Sequence, residues 1–185
     1  MSRKERPKTN LFSPRKILLI RPRRIGDIVM TTPAVAALKR TLPHAFLTYI
    51  VEEPFRCLVE RNPDLDEVIP IPPHQGLLSF LGLIRRLRRE KFELAIDFHG
   101  GPRAARMAWL SGAKLKVGYE LKHKAFMYDI RVPRSRKGAP IHSVENHLKL
   151  VRAAGVEVEE PWPRLALPAA EKEDRERVDR LWAEN

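Results

Sequence analysis

The sequence predicts an α/β fold: a Rossmann-like, mostly parallel sheet with helices on both faces. Three observations predict it. Short apolar runs such as ILLI at 17–20 alternate with segments of helical periodicity. The ILLI run is continuously apolar, as expected of a strand that is buried on both faces. The strand–helix order then repeats along the 185 residues, which is typical of parallel sheets.

The first half of the chain predicts three strands. ILLI is followed by a polar loop, RPRRIGD, and apolar residues then recur at helical spacing from Ile28 to about Thr41. Pro33 falls in the first turn of that helix, where its missing N–H costs least. FLTYIV at 46–51 predicts the second strand, a short helix is expected around 54–61, and EVIPI at 67–71 predicts the third strand.

The second half continues the alternation. LLSFLGLIRRLRRE at 77–90 has the periodicity of an amphipathic helix. FELAIDF at 92–98 predicts a strand and RAARMAWL at 103–110 a helix, and two short strands follow at 114–120 and 128–133. HSVENHLKLVRAAG at 142–155 predicts a helix that Gly155 ends.

Parallel sheets bind ligands at the carboxyl ends of their strands. Three loops are therefore expected at one edge of the sheet. They are Arg21 to Asp27 after the first strand, Glu52 and Glu53 after the second, and Asp97 to Arg103 after the fourth.

The charge of the chain predicts a polyanionic partner. Lys and Arg number 35 against 23 Asp and Glu, a net charge of +12. Residues 1–156 carry 30 basic and 14 acidic side chains, whereas residues 157–185 carry 5 and 9. Nucleic acid, anionic lipid, and a phosphorylated or carboxylated substrate all fit such a surface.

Composition excludes several classes of protein. Hydrophobic residues at 43% suffice for a core, and the single Cys57 excludes a disulfide framework or a Cys-rich zinc module. No apolar run approaches the roughly 18 residues of a membrane span. The basic N-terminus lacks the apolar core of a signal peptide. A cytoplasmic protein is expected, with a peripheral role at the membrane left open.

The segment RPRRIGDIVMTTPAV lies at the first strand–helix junction. It contains one glycine, so it is neither a dinucleotide fingerprint nor a P-loop, and a nicotinamide dehydrogenase is disfavoured. Gly26 permits a tight turn or the close approach of a ligand. Asp27 has two interpretations: an N-cap of the helix, or a general base toward a substrate hydroxyl.

These segments resemble a known family in their order along the chain. ILLIRPRRIGDIVMTTPAVAALKRTLPHAFLTYIVEE, NPDLDEVIPI, FELAIDFHGGPRAA, VGYE and HSVENHLKLVRAAGV resemble successive landmarks of glycosyltransferase family 9, the lipopolysaccharide heptosyltransferases. The resemblance covers about residues 16–170.

The resemblance implies the N-terminal half of a two-domain GT-B fold. Residues 16–165 would be a Rossmann-like acceptor-binding domain. Residues 166–185 would be the linker and first helix of a donor-binding domain that is missing, so the chain is expected to be a fragment that is inactive alone. Residues 1–15, basic and punctuated by Pro7 and Pro14, predict a disordered tail.

The resemblance also implies an activity. It is the inverting, metal-independent transfer of heptose from ADP-heptose to the Kdo-lipid A inner core, at the inner face of the inner membrane. Asp27 would be the base, with Arg23 and Arg24 holding an anionic acceptor or the donor diphosphate and keeping Asp27 ionised. ADP-heptose is the substrate; no cofactor and no metal is expected.

Further residues are candidates for binding the acceptor or its phosphates. They are Gly26 in the first loop, Arg85 and Arg86 on the basic helix, and His99, Gly100, Gly101 and Arg103 in the DFHGGPR segment. Each has a plainer interpretation: a solvated helix face for the arginines, and an ordinary loop residue for His99. Asp64-Leu65-Asp66 spells D-x-D, but its place after Asn62-Pro63 favours a turn over a metal site.

Two rival functions remain. A nucleic-acid-binding module would fit a pI near 10.3, but no RRM, KH or zinc-finger signature is present. A non-catalytic fragment that only binds the acceptor is the other.

Overall fold

The computed structural model describes residues 13–120, 125–134 and 143–158. Six parallel strands form one sheet, which confirms the predicted fold class. The strands are β1 (Lys16–Ile20), β2 (Phe46–Glu52), β3 (Glu67–Ile71), β4 (Leu94–Asp97), β5 (Leu115–Tyr119) and β6 (Ile130–Val132).

The strand order is β3-β2-β1-β4-β5-β6. Strands β2 and β3 follow on one side of β1, and β4, β5 and β6 follow on its other side. On that second side Ile20 of β1 pairs with Asp97 of β4. In such a sheet the loops after β1 and β4 diverge to opposite faces, and a crevice opens between them at the carboxyl edge.

The described residues also form five α-helices and two short 3₁₀ helices, of which the last α-helix follows β6 and the others lie between strands. The α-helices are α1 (Ile25–Val29), α2 (Thr32–Thr41), α3 (Leu77–Glu90), α4 (Pro102–Leu110) and α5 (Ser143–Ala153). The 3₁₀ helices span Glu53–Leu58 and Ala125–Met127.

The two faces of the sheet carry separate cores. Alternate residues of β1 divide between them, because successive side chains of a strand point to opposite faces. Ile17 and Leu19 pack with Leu38 of α2 and Leu148 of α5, and Leu18 and Ile20 pack with the residues of α3 and α4. The doubly covered sheet explains why β1 is apolar throughout.

The predicted helix from Ile28 to Thr41 is two helices. Thr31 Oγ1 donates to the carbonyl of Ile28 at 2.7 Å, and Thr32 Oγ1 donates to that of Val29 at 2.8 Å. Pro33 has no N–H with which to continue the α1 ladder. Side-chain hydroxyls thus take up the carbonyls where α1 ends. Pro33 does stand in the first turn of α2, as predicted.

The remaining differences from the predicted elements are small. The helix expected at 54–61 is the 3₁₀ helix Glu53–Leu58, and β4, β5 and β6 are shorter than the segments predicted for them. Gly155 has φ 84° just beyond α5, as a helix stop requires.

Two predicted segments fall largely outside the described residues: the basic tail and the linker with its final helix. At the inner end of the predicted tail, Arg15 is held by the sheet, since its N–H donates to Glu93 Oε2 at 2.7 Å. Within the ranges that the structure describes, no helix has the length and apolar character to cross a membrane.

Candidate functional site

Arg21 and Asp27 form an ion pair at the carboxyl end of β1, beside the crevice. Arg21 is the first residue after β1, and its side chain is only 4% exposed. Its Nη2 pairs with Asp27 Oδ2, and its Nη1 donates to the carbonyl of Phe98, just after β4, at 2.6 Å. One buried guanidinium therefore joins the loop after β1 to the loop after β4, the two loops between which the crevice opens.

Asp27 is the third residue of α1 and is not its N-cap. Arg24 occupies the cap position, without a side-chain hydrogen bond. The Asp27 side chain is 41% exposed, and its Oδ1 has no hydrogen-bond partner among the residues that are described. One carboxylate oxygen is thus fixed by Arg21, and the other is open to a ligand.

The three predicted loops do meet at this edge. The Arg21 N–H donates to the Ile50 carbonyl at 3.1 Å, and the Glu52 N–H donates to the Pro22 carbonyl at 2.7 Å. The Phe98 N–H donates to the Ile20 carbonyl at 3.1 Å. Backbone hydrogen bonds of the sheet ladder therefore continue beyond the strands and bind the loops together.

Asp97 organises the loop after β4. The carboxylate is fully buried, and its Oδ1 accepts the N–H groups of His99 at 2.8 Å and Gly100 at 2.9 Å. The Tyr128 hydroxyl donates to its Oδ2. Burial raises the pKa of Asp97 above its ordinary value, against the effect of these donors. Asp97 shapes the site without facing it.

His99 lies half-buried at the site with a neutral ring. Burial, followed by the charges of Arg21 and Arg23, lowers its pKa to about 4. Its Nδ1 is buried without a hydrogen-bond partner. The ring folds back over Gly101, where an added Cβ would lie 2.6 Å from the ring, so a larger residue there would have to displace the ring. Gly100 has φ 73°, a second glycine requirement of this turn.

Arg103 is bound by the protein itself. Its guanidinium contacts Glu52 Oε1 at 3.2 Å and Gln75 Oε1 at 3.1 Å, and it donates to the carbonyls of Pro72 and Pro73 at 2.6 and 2.9 Å. These acceptors account for a cation at the start of α4, where the helix dipole disfavours one. A role of Arg103 in binding a ligand stays a prediction.

The other predicted site residues divide between two places. Arg23, Arg24 and Gly26 are exposed beside Asp27, and nothing lies within 4 Å of a Cβ added at Gly26. The ionic partner of Asp27 is Arg21, rather than the two arginines that the sequence suggested. Arg85 and Arg86 lie on α3 away from this pair, and Arg86 is bound to Glu67 at 2.7 Å.

Besides Arg21, the site contains Tyr119, Arg134 and His147, which were not predicted either. The Tyr119 hydroxyl and His147 Nδ1 share a hydrogen bond of 2.9 Å, and the Arg134 guanidinium lies 5.2 Å from the centre of the Tyr119 ring. His147 is 3% exposed, and burial with the charge of Arg21 lowers its pKa to about 3. Its Nε2 is buried without a partner.

Sequence signals for the missed residues are slight. Arg21 is a charged residue directly after an apolar strand, which places it at the ligand-binding edge. His147 shares the apolar stripe of α5 with Val144, Leu148 and Val151, a spacing that only marks it as buried. Arg134 follows the last strand in a basic segment without a pattern of its own.

The site as a whole favours an anionic ligand. The charges of Arg21, Arg23 and Arg134 all lower the pKa of His99, and the Asp27 carboxylate opposes them. No group of three potential metal ligands occurs in the described ranges. Asp66 of the D-x-D sequence accepts the Leu47 N–H at 2.7 Å and the Lys39 ammonium at 2.8 Å, a structural use.

Comparison with known proteins gives consistent results. Residues 80–181 match the model of glycosyltransferase family 9 (heptosyltransferase). Lipopolysaccharide heptosyltransferase 2 of Escherichia coli K12 is 26% identical over 170 residues, 85% of this chain and 48% of that protein. The chain thus spans about half the length of the curated relatives it matches.

Two solved structures share the fold. A family 9 glycosyl transferase of Veillonella parvula superposes with a TM-score of 0.76 at 22% identity, over 92% of this chain and 49% of that one. The E. coli heptosyltransferase WaaC with ADP gives 0.69 at 18% identity, over 82% and 51%. The family match over more than half of the sequence carries the assignment: the chain belongs to glycosyltransferase family 9, the heptosyltransferase family.

Proposed function

We propose that this chain is the acceptor-binding half of an inverting, metal-independent heptosyltransferase that uses ADP-heptose and a Kdo-lipid A type acceptor. The observation that carries the proposal is the Arg21–Asp27 pair. The pair presents one free carboxylate oxygen in the cationic crevice between the loops after β1 and β4. Family membership and the ADP of the WaaC structure support the choice of donor.

Asp27 acts as the general base. Its Oδ1 takes the proton of an acceptor hydroxyl while that hydroxyl oxygen forms a bond to the anomeric carbon of the heptose. The bond from that carbon to the β-phosphate oxygen breaks, and ADP leaves with the electron pair. Attack opposite to the leaving group inverts the configuration. Arg21 holds the carboxylate in place through its other oxygen.

The arginines take the place that a metal has in other transferases. Arg23, Arg24 and Arg134 are exposed at the crevice and can pair with phosphate or carboxylate oxygens in a forked geometry. His99 is neutral and can only share a single proton with a ligand. Transfer should therefore be insensitive to EDTA.

Donor binding rests with a second domain. The solved relatives are about twice as long as the matched region, so the nucleotide would be bound largely by residues beyond this chain. The protein would act at the cytoplasmic face of the inner membrane, where a lipid-anchored acceptor lies. The alternative is a non-catalytic fragment that only binds the acceptor.

The test separates binding from transfer. The chain is complemented with the donor-binding half of a family 9 relative, and transfer of heptose from ADP-heptose to Kdo-lipid A is measured beside acceptor binding. Asp27→Asn should bind the acceptor but lose about 10²- to 10⁴-fold in rate, the usual contribution of a general base. Asp64→Asn, a carboxylate outside the site, is the control. Unchanged transfer by Asp27→Asn would refute the assignment, and binding without transfer in every form would establish the alternative.

A further inference from the structure

The outer face of α3 and α4 exposes large apolar side chains in one place. The structure shows seven large hydrophobic residues exposed among those it describes, and five of them lie here. Their exposed fractions run from 46% to 84%. They are Leu77, Leu78 and Leu81 on α3, Trp109 on α4 and Phe126 in the neighbouring 3₁₀ helix, and we call them the apolar patch.

Ring contacts join the neighbouring elements of this face. The Trp109 and Phe126 rings meet edge to face with centroids 6.0 Å apart. The Arg106 guanidinium of α4 lies 5.9 Å from the centre of the Phe80 ring of α3. Single exposed apolar residues need no explanation, but several on one face of a fold indicate a surface that another body covers.

Helical geometry places arginines on the same flank of α3. At 100° per residue, Arg85, Arg88 and Arg89 fall on the side of the exposed leucines, whereas Leu83, Ile84 and Leu87 are buried against the sheet. The leucines occupy the first half of the helix and the arginines the second.

Among the residues that the structure describes, these arginines have no carboxylate partner. Of the six arginines on α3 and α4, Arg86 is neutralised by Glu67 and Arg103 by Glu52. Arg88 donates to the Leu110 carbonyl, which does not neutralise its charge. Glu90, the single acidic residue of the two helices, is paired with Lys16. Four positive charges therefore remain beside the apolar patch: Arg85, Arg88, Arg89 and Arg106.

We propose that this face docks on an anionic phospholipid bilayer, with the apolar patch inserted among the acyl chains and the four arginines at the level of the phosphates. Aliphatic and aromatic side chains beside unpaired arginines are the combination that an anionic membrane surface binds. A protein partner would instead need carboxylates opposite the arginines.

The position of the patch relative to the candidate site fits this orientation. α3 and α4 begin at the carboxyl edge of the sheet, so Leu77 and Leu78 lie at the end of the face nearest the crevice. Between the two helices runs a groove of about 290 Å³ lined by Gln75, Leu77, Phe80, Arg103 and Arg106. The inference deepens the proposed function, which places the acceptor in a membrane, but its test needs no transfer.

The test is co-sedimentation of the chain with vesicles of phosphatidylglycerol and phosphatidylcholine, beside vesicles of phosphatidylcholine alone. Binding should require the anionic lipid and weaken with salt. Arg85→Gln/Arg89→Gln should lose roughly 30-fold in partitioning, since each arginine near an anionic surface contributes about fivefold. Leu77→Ser/Leu78→Ser should lose roughly tenfold or more. Lys114→Gln/Arg131→Gln removes two charges elsewhere and is the matched control.

A second readout locates the face directly. In a Trp162→Phe/Trp182→Phe background, Trp109 is the remaining tryptophan, and brominated acyl chains should quench its fluorescence on binding. The proposal is overturned if Trp109 stays unquenched in the bound state, if the leucine variant binds as the parent does, or if phosphatidylcholine alone binds equally. It is also overturned if the chain does not bind vesicles and the leucine substitutions convert a self-associated form to a monomer, since the patch would then be a contact between copies of the chain. Each result is independent of whether Asp27 is the base.

Discussion

His147 should make the folded state sensitive to acid. The imidazole is buried against the Phe98 ring, with centroids 5.3 Å apart, and is bound to Tyr119 through Nδ1. Burial lowers its pKa to about 3 from an ordinary value of 6.5. Below pH 6.5 the unfolded chain takes up a proton at this residue and the folded chain does not. The stability contributed above pH 6.5 is therefore lost as the pH falls toward 3.

The size of the effect follows from the two pKa values. Between pH 7 and pH 4.5 the linkage amounts to about 2.5 kcal/mol of unfolding free energy, at 1.36 kcal/mol for each pKa unit. That is a sizeable part of the roughly 5–15 kcal/mol that stabilises an ordinary domain. His147→Gln removes the titration and keeps a carbonyl oxygen that can accept from the Tyr119 hydroxyl.

Urea unfolding at intervals between pH 7 and pH 4.5 measures the effect. At pH 7 the His147→Gln variant should have a lower free energy of unfolding than the parent. Between pH 7 and pH 4.5 its free energy of unfolding should fall by about 2.5 kcal/mol less than that of the parent. Asp97 and His99 also titrate with shifted pKa values, but they do so in both proteins, so the difference isolates His147. His44→Gln alters an exposed histidine and is the control. Parallel losses in parent and His147→Gln would refute the reasoning.

Two further substitutions test the packing of Tyr128 behind the site. Gly118→Ala should destabilise the fold by about 1–3 kcal/mol, because the new Cβ would lie within 3 Å of the Tyr128 ring. Gly26→Ala meets nothing within 4 Å and should leave the urea midpoint unchanged or slightly raised; equal midpoints for the two variants would contradict this contrast. Tyr128→Phe should cost about 1–3 kcal/mol in the same assay, because a buried oxygen of Asp97 loses its donor. No loss on this change would mean that the carboxylate finds another partner.

Much of the fold could be predicted because it depends on local pattern. Short segments rich in apolar residues marked the strands, and a spacing of three and four residues marked α3 within its observed bounds, Leu77–Glu90. The split between α1 and α2 was missed, because apolar periodicity runs through Thr31 and Thr32 unbroken. The ladder stops there because Pro33 has no N–H and the hydroxyls of Thr31 and Thr32 bond the preceding turn.

The sequence predicted where the candidate site lies, but not which of its side chains contact one another. The order of strands and loops was enough to bring the segments after β1, β2 and β4 to one edge. It could not show that Asp27 pairs with Arg21, since the nearer sequence neighbours Arg23 and Arg24 carry the same charge. Nor could it show that the protein's own carbonyls and carboxylate surround Arg103, because those groups come from loops 28 to 51 residues away.

The sequence by itself determined the class of fold, the basic character of the chain and the resemblance to its family, because apolar periodicity, charge and ordered motifs are local properties of the chain. Tertiary structure decided which charges meet. One arginine is buried against the Asp27 carboxylate, and two on α3 and α4 are neutralised by glutamates. Four others on these helices have no carboxylate partner among the described residues and share a face with exposed leucines and a tryptophan. The physical reason is that burial and ion pairing depend on distance in space, and that distance is fixed only when the parallel strands bring remote loops to one edge.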